Sequence, residues 1–356
     1  MAQQAILNGP ALAPPPGVRP NFDHPPNQNN LALAVTTICL SVSTTAFVLA
    51  AYAKLCCVKK VHFEDFIVLA GYGLIIGVGY CIYEVVSGVG AFVHQWNVRV
   101  RDLAHIFYFV HVGSILYSVA IMLLKVAILF QWIRIFVPRG TKGLFYWASL
   151  TLLVINVLLY SIIVITICAS CKPFSRLWDK IVPGTCSANR EIIDVATAAS
   201  NLVSDFVILL LPQGVIWKLH VKRQKKIGIT FIFLVGIFAI ISAGFRVDAS
   251  LRFFWSKDRT YQIATVSFWA IAELTCAILV FCVPSIPKIF RDSRSFIKIP
   301  TSLITWFKPA AKRIESSSRS TWPRVDTERL PINSLYEQSN YNHMEMRQYD
   351  LANGQS

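Results

Sequence analysis

The chain has 356 residues, of which 54% are hydrophobic and only 15% charged, with a mean hydropathy of +0.52. Soluble domains average about 25% charged residues. The length alone permits two soluble domains, but the gathering of apolar residues into long runs excludes them. The net charge of +15 comes from Lys and Arg placed beside those runs, which reads as loop bias in a membrane protein and gives no basic domain of the kind that reads nucleic acid.

Residues 1–30 contain no basic stretch leading into a short apolar core and a small-residue cleavage site, so no signal peptide is expected and the first apolar run is its own insertion signal. The Pro- and Asn-rich stretch Pro10 to Asn30 predicts a disordered arm. A membrane-spanning helix needs about 20 mostly apolar residues. Seven segments qualify: Leu31–Leu55, Phe66–Gly88, Ile106–Phe136, Leu144–Cys168, Val195–Trp217, Ile227–Ala249 and Ile263–Ile286. The fold class is therefore an all-α membrane protein, a seven-transmembrane helix bundle over 31–287. A basic amphipathic juxtamembrane segment follows at 288–311, where aromatic residues alternate with Lys and Arg and suit an anionic lipid surface. A disordered tail occupies 312–356.

Orientation follows from the loops. One set carries Lys54, Lys59, Lys60, Arg134, Arg139, Lys142, Lys218, Lys222, Arg223, Lys225 and Lys226, eleven in all, against nine in the opposite set. That margin is small. The dense Lys218–Lys226 cluster and the basic tail decide it, so the C-terminus is expected in the cytosol and the N-terminus outside, in the plasma membrane. Arg134 and the cluster Lys218, Lys222, Arg223, Lys225 and Lys226 form the expected surface for a cytosolic signalling protein.

The outer loop Ala169–Asp194 contains Cys171 and Cys186. Outside the cell they are expected to form a disulfide that shapes a lid; two free thiols, or Cys168 as one partner, are the other readings. The nine cysteines lack metal-ligand spacing, so no metal is expected.

Ionisable residues at bilayer depth are costly and point to function. Lys125, Asp205 and Glu273 lie well inside their segments, and Glu84, Arg246 and Asp248 lie in outer parts. Lys125 is expected to pair with Asp205 or Glu273, and Arg246 with Glu84 or Asp248. Such pairs form either a ligand pocket with breakable ion pairs or a static polar core. Trp269, with other aromatic and hydroxyl residues, belongs to the candidate pocket for a small-molecule ligand. No hydrolase, metalloprotease, phosphate-loop or dinucleotide motif is present, so no catalytic residue is assigned. The last segment has no lysine for a retinal Schiff base, and no cofactor is expected.

Several local patterns then resemble the fungal rhodopsin-domain family of seven-helix, receptor-like membrane proteins of filamentous ascomycetes. These are Glu64-Asp65-Phe66; Leu123-Leu124-Lys125 with Arg134-Ile135-Phe136; Cys171-Lys172-Pro173-Phe174 with Trp178-Asp179 and Cys186; Asp205 with Leu211-Pro212 and Trp217-Lys218-Leu219; Gly236 through Arg246; and Trp269 with Glu273 and Cys282-Pro284. Departures are Glu64 where the family has Asp, Pro212-Gln213 for Pro-x-Pro, and the absence of cysteines before Cys39, so the Cys-rich domain that some members carry is not expected. The resemblance implies a receptor-like protein sensing an extracellular small molecule or surface cue. Because some members lie in secondary-metabolite gene clusters, it also admits a membrane component that transports or modifies a hydrophobic compound. Asp-Arg-Tyr and Asn-Pro-x-x-Tyr coupling motifs are absent.

Overall fold

The computed structural model describes residues 4, 7–137, 143–179, 181–187, 189–213 and 223–285. Seven helices follow in order: α1 Asn29–Tyr52, α2 Phe63–Gly88, α3 Val100–Phe136, α4 Leu144–Ala169, α5 Arg190–Leu210, α6 Arg223–Trp255 and α7 Arg259–Cys282. All seven are long and apolar enough to cross a membrane. Side chains of α6 before Phe233 lie outside the description, as do Lys218, Lys222 and everything from Ile286 onward. The side chains of Arg223, Lys225 and Lys226, the juxtamembrane segment 288–311 and the tail 312–356 are therefore not described.

Local chemistry sets several helix ends. A π-helical turn, Ala53–Val58, closes α1, and Lys59 at φ 51° ends it. The α2 start is capped reciprocally: Asp65 accepts from the His62 backbone N–H, while the His62 side chain serves the third helical residue. Glu64 and Asp65 in that first turn also favour the helix dipole. The 37 residues of α3 extend about 55 Å, well beyond a bilayer core of about 30 Å. α3 starts before, and α6 ends after, the apolar segment read from the sequence.

The helices pack as a ring of sequence neighbours closed by α1 against α7, with α3 reaching across to α7. In α3 and α7 56% and 61% of the apolar window is buried, against 17% in α4, so α3 and α7 form the centre and α4 the rim. The core is Ile75, Ile121, Leu124, Leu129, Leu274 and Ile278. The outward faces remain apolar, for example Leu158, Ile162 and Ile165 on α4 and Leu234, Phe238 and Ile241 on α6. Water does not favour such faces; lipid does. Close approach relies on small residues. A Cβ at Gly71 would meet Leu124 at 3.3 Å, and one at Gly77 would meet Leu116 at 3.1 Å.

The arm before α1 differs from the disordered segment that its composition predicts. Ala11 N–H donates to Val98 O (2.9 Å) and Val100 N–H to Gly9 O (3.2 Å). Asn21 N–H donates to Asn97 Oδ1 (3.0 Å), and Ala91 N–H to Asn29 Oδ1 (2.7 Å). Proline and asparagine argue against a self-contained helix, but they do not prevent the arm from pairing its backbone with another segment. Here that segment is the α2–α3 loop. Between α4 and α5 a short antiparallel ribbon pairs β1 Cys171–Lys172 with β2 Thr185–Cys186, and a disulfide joins Cys171 to Cys186. Phe174 and Trp178 of that loop pack on His111, and Trp178 also on Tyr108 of α3.

Candidate functional site

Two buried polar knots occupy the centre of the bundle. In the first, the Lys125 ammonium lies 2.9 Å from Asp205 Oδ1 and donates to Asn201 Oδ1 (2.6 Å), to Asn201 backbone O (3.3 Å) and to Tyr160 Oη (3.5 Å). Tyr160 donates to Asn201 Oδ1 (2.5 Å), and Asn201 Nδ2 donates to the other Asp205 oxygen (3.1 Å). Asn201 and Asp205 are four residues apart and so share one face of α5. The knot ties α3, α4 and α5. Each charge has a partner and further hydrogen bonds, which is what a charge removed from water requires.

In the second knot, Arg246 Nη1 lies 2.8 Å from Glu273 Oε2 and also donates to Tyr117 Oη. Tyr117 in turn donates to Glu273 Oε2 (2.5 Å), and the guanidinium sits 4.2 Å from the Tyr117 ring centroid. This knot ties α3, α6 and α7. It leaves atoms over: Arg246 Nε, Glu273 Oε1 and the nearby Ser250 Oγ are buried without a hydrogen-bond partner among the described residues.

Of the partners weighed from sequence, Lys125 takes Asp205. Arg246 takes neither Glu84 nor Asp248, and that expectation is corrected. Asp248 is two residues from Arg246 and so lies on another face; it pairs instead with Arg252 four residues on, at 2.8 Å. Glu84 is half-buried and lies outside the cavity described below. Trp269 is likewise not in the cavity wall; it stacks on Phe245 with ring centroids 4.7 Å apart. Tyr160 and Asn201 were missed in the sequence. The four-residue step from Asn201 to Asp205 was the available signal, whereas a lone tyrosine in an apolar run carries none.

At the disulfide end of the bundle is a cavity of about 120 Å³. Its walls are mainly apolar, including Val78, Ile82, Val86, Ile106, Phe253 and Phe268, while Ser114, Tyr117, Ser118, Asp194, Thr197, Arg246 and Ser250 supply polar groups. A second cavity of about 50 Å³ is lined by Lys125, Asp205 and Glu273. The Arg246–Tyr117–Glu273 knot thus links the walls of both. The α2–α3 loop covers the larger cavity and is clamped to the start of α7. Asp258 receives His94 Nδ1 (2.5 Å) and the Gln95 N–H (2.8 Å), Arg259 N–H donates to Gln95 Oε1 (3.1 Å), and Thr260 Oγ1 donates to Val93 O (2.9 Å). His94 is stacked between Trp96 and Tyr261. Arg259 also pairs with Glu191 at 2.7 Å, joining the starts of α7 and α5.

The opposite end is held differently. Lys54 pairs with Asp65, and Arg134, assigned from sequence to a partner surface, pairs with Glu64. The Lys54 ammonium also lies 4.1 Å over the Phe281 ring. The acidic pair that opens α2 therefore fastens α2 to α1 and α3.

Residues 49–292 match the fungal rhodopsin domain. The chain belongs to the fungal rhodopsin domain family. It is 34% identical to the "Fugralins biosynthesis cluster protein 2" of Gibberella zeae over 92% of this chain and 86% of that protein. It is 32% identical to a "SAT4 family membrane protein" of Emericella nidulans over 56% of this chain and 50% of the other. It is 23% identical to "Receptor GIN3" of Arthrobotrys oligospora over 76% and 64% of the two chains. No solved structure matches. This member of the fungal rhodopsin domain family is thus an integral, multi-pass membrane protein with both receptor-named and biosynthesis-cluster-named relatives.

Proposed function

We propose that this protein is a receptor-like membrane protein that admits a small molecule at the disulfide end and signals to a cytosolic partner at the opposite, basic end. The disulfide loop and the N-terminal arm then face the outside of the plasma membrane, where the cysteine pair stays oxidised. The cytosolic side receives Arg134, the Lys218, Lys222, Arg223, Lys225 and Lys226 cluster and the basic tail. The observation that carries this reading is the cavity whose wall includes Arg246, a residue bonded to both α3 and α7. An occupant that touches Arg246 in one helix arrangement more favourably than in another shifts the population between them, which is all that signalling requires. A relative named as a receptor supports the same reading.

The test uses native cells carrying either the wild-type chain or Glu273→Gln at equal surface level. Extracellular extract is applied and the transcript response recorded. Loss of the response in the variant is expected; an undiminished response overturns the switch. A second reading, a membrane component of a secondary-metabolite pathway, is favoured by the cluster-named relative that this chain matches over most of its length. Deletion that changes the division of a metabolite between cells and medium, with the transcript response intact, selects that reading.

A further inference from the structure

Counter-ions are unevenly shared at the end opposite the disulfide. Among the described residues the acids there are Glu64 and Asp65, which open α2, and both are taken: Asp65 by Lys54 and Glu64 by Arg134. The three connections between helices at this end, 53–62, 137–143 and 211–222, contain no Asp or Glu. Lys59 and Lys60 lie in the first of them, are exposed, and have no ion-pair partner among the described residues.

The backbone holds these two lysines in a fixed turn. The N–H groups of Lys59 and Lys60 both donate to Lys54 O, and Lys59 has φ 51°. That left-handed conformation favours glycine, so a lysine there sets an ammonium group against the backbone's preference.

Apolar surface begins directly beside the two charges. Phe63 is 71% exposed, Phe66 62% and Leu69 54%. Each is three residues from the next, so they follow one side of α2. Leu55 and Tyr52 at the end of α1 are exposed as well. Two unmatched ammonium groups at the head of an apolar strip match the layout of a phospholipid, with phosphate at the membrane edge and acyl chains along the helix. Charge complementarity selects the headgroup. A zwitterionic lipid brings its own cation beside the phosphate and gains little, whereas a net negative headgroup supplies the charge that the protein does not.

We infer that the α1–α2 turn is a binding site for a phospholipid with a net negative headgroup, its phosphoryl oxygens held by Lys59 and Lys60 and its acyl chains lying on Phe63, Phe66 and Leu69. The site is separate from the cavity and stands whether or not the protein is a receptor. In the orientation proposed above it meets the cytosolic leaflet, where anionic lipids are concentrated.

The test compares phosphatidic acid with phosphatidylcholine, each carrying a photoactivatable diazirine near the carboxyl end of one acyl chain. Each is placed at the same low fraction in nanodiscs of unlabelled phosphatidylcholine that hold the full chain. After illumination the labelled residues are located by peptide mass spectrometry, which separates this turn from the other basic segments. Labelling within 52–69 is expected to be at least about fivefold greater for phosphatidic acid, the attraction of one lysine to an anionic surface. Glycine adopts the left-handed turn without steric cost, so Lys59→Gly combined with Lys60→Gln removes both charges and keeps the fold. This variant is expected to bring the ratio within 52–69 to about one and to leave labelling of other segments unchanged. Lys60→Glu, which leaves the left-handed residue alone, is expected to lower the ratio as well. Equal labelling by the two lipids in the wild-type chain overturns the inference and makes the strip ordinary lipid-facing surface. A preference that survives in both variants overturns it too, because the lysines are then not its cause.

Discussion

The two buried knots are built from the same kinds of residue and finished differently. Around Lys125, the ammonium has Asp205, Asn201 and Tyr160, and Asn201 and Tyr160 bond one another as well. Around Arg246, one guanidinium nitrogen serves both Tyr117 and Glu273, while Arg246 Nε and Glu273 Oε1 stay unmatched. A satisfied network has one low-energy arrangement and holds α3, α4 and α5 in register. An unfinished one has donors and acceptors to spare, and it is the one in the wall of the larger cavity. Intramembrane charge by itself therefore does not mark a switch; what distinguishes the two sites is the balance of partners.

The largest expected effect breaks the satisfied knot. Lys125→Met leaves Asp205 buried and unpaired, and removing one partner of a buried pair costs about 3–5 kcal/mol. The double change Lys125→Met with Asp205→Leu removes both charges and is expected to recover most of that loss. Thermal unfolding of the purified chain in detergent reads both variants. If the double variant is as unstable as the single one, the knot is held by something other than charge compensation, and the contrast with Arg246 fails at its first term.

Much of this architecture was legible in the sequence because lipid makes a strict demand: long apolar runs, with charge confined to gaps, leave few alternatives to a helix bundle. The seven segments and the depth of Lys125, Asp205 and Glu273 follow from that demand alone. Partner choice did not follow. Arg246 and Glu273 meet across α6 and α7, which requires the rotation of each helix about its own axis, and apolar runs that are hydrophobic on nearly every face give no stripe from which to read it. Trp269 was misplaced for the same reason. The arm was missed because composition reports what a segment builds by itself, and residues 9–29 build against the α2–α3 loop.

A comparable effect is expected at the unfinished knot. Glu273→Gln keeps an acceptor for Tyr117 but removes the charge facing Arg246. Because Arg246 is then left buried without its counter-ion, the expected destabilisation is about 3–5 kcal/mol, the range expected for Lys125→Met in the same unfolding measurement. The sharper signature is dynamic: hydrogen exchange in the outer half of α6 is expected to rise in Glu273→Gln and to stay at the wild-type level in α4 and α5. An increase shared by all three helices makes the knots one structural unit and removes the distinction between them.

The smallest effect belongs to the opposite end. Arg134 and Glu64 are an ion pair between α3 and α2, and the Arg134 side chain is 34% exposed. Solvent and salt screen such a pair, and exposed pairs contribute about 0.2–1 kcal/mol. Arg134→Gln is therefore expected to lower stability by less than about 1 kcal/mol, with the loss shrinking further as salt is raised, because screening shortens with ionic strength. The neighbouring Lys54–Asp65 pair, whose ammonium also rests over Phe281, is the control: Lys54→Met forfeits that ring contact as well and is expected to cost more, with less dependence on salt. If Arg134→Gln matches Lys125→Met in magnitude, burial is not what ranks the charges of this bundle. The ion pairs at this end would then be fastenings as strong as the central knot, and a partner would have to break one of them to move α3.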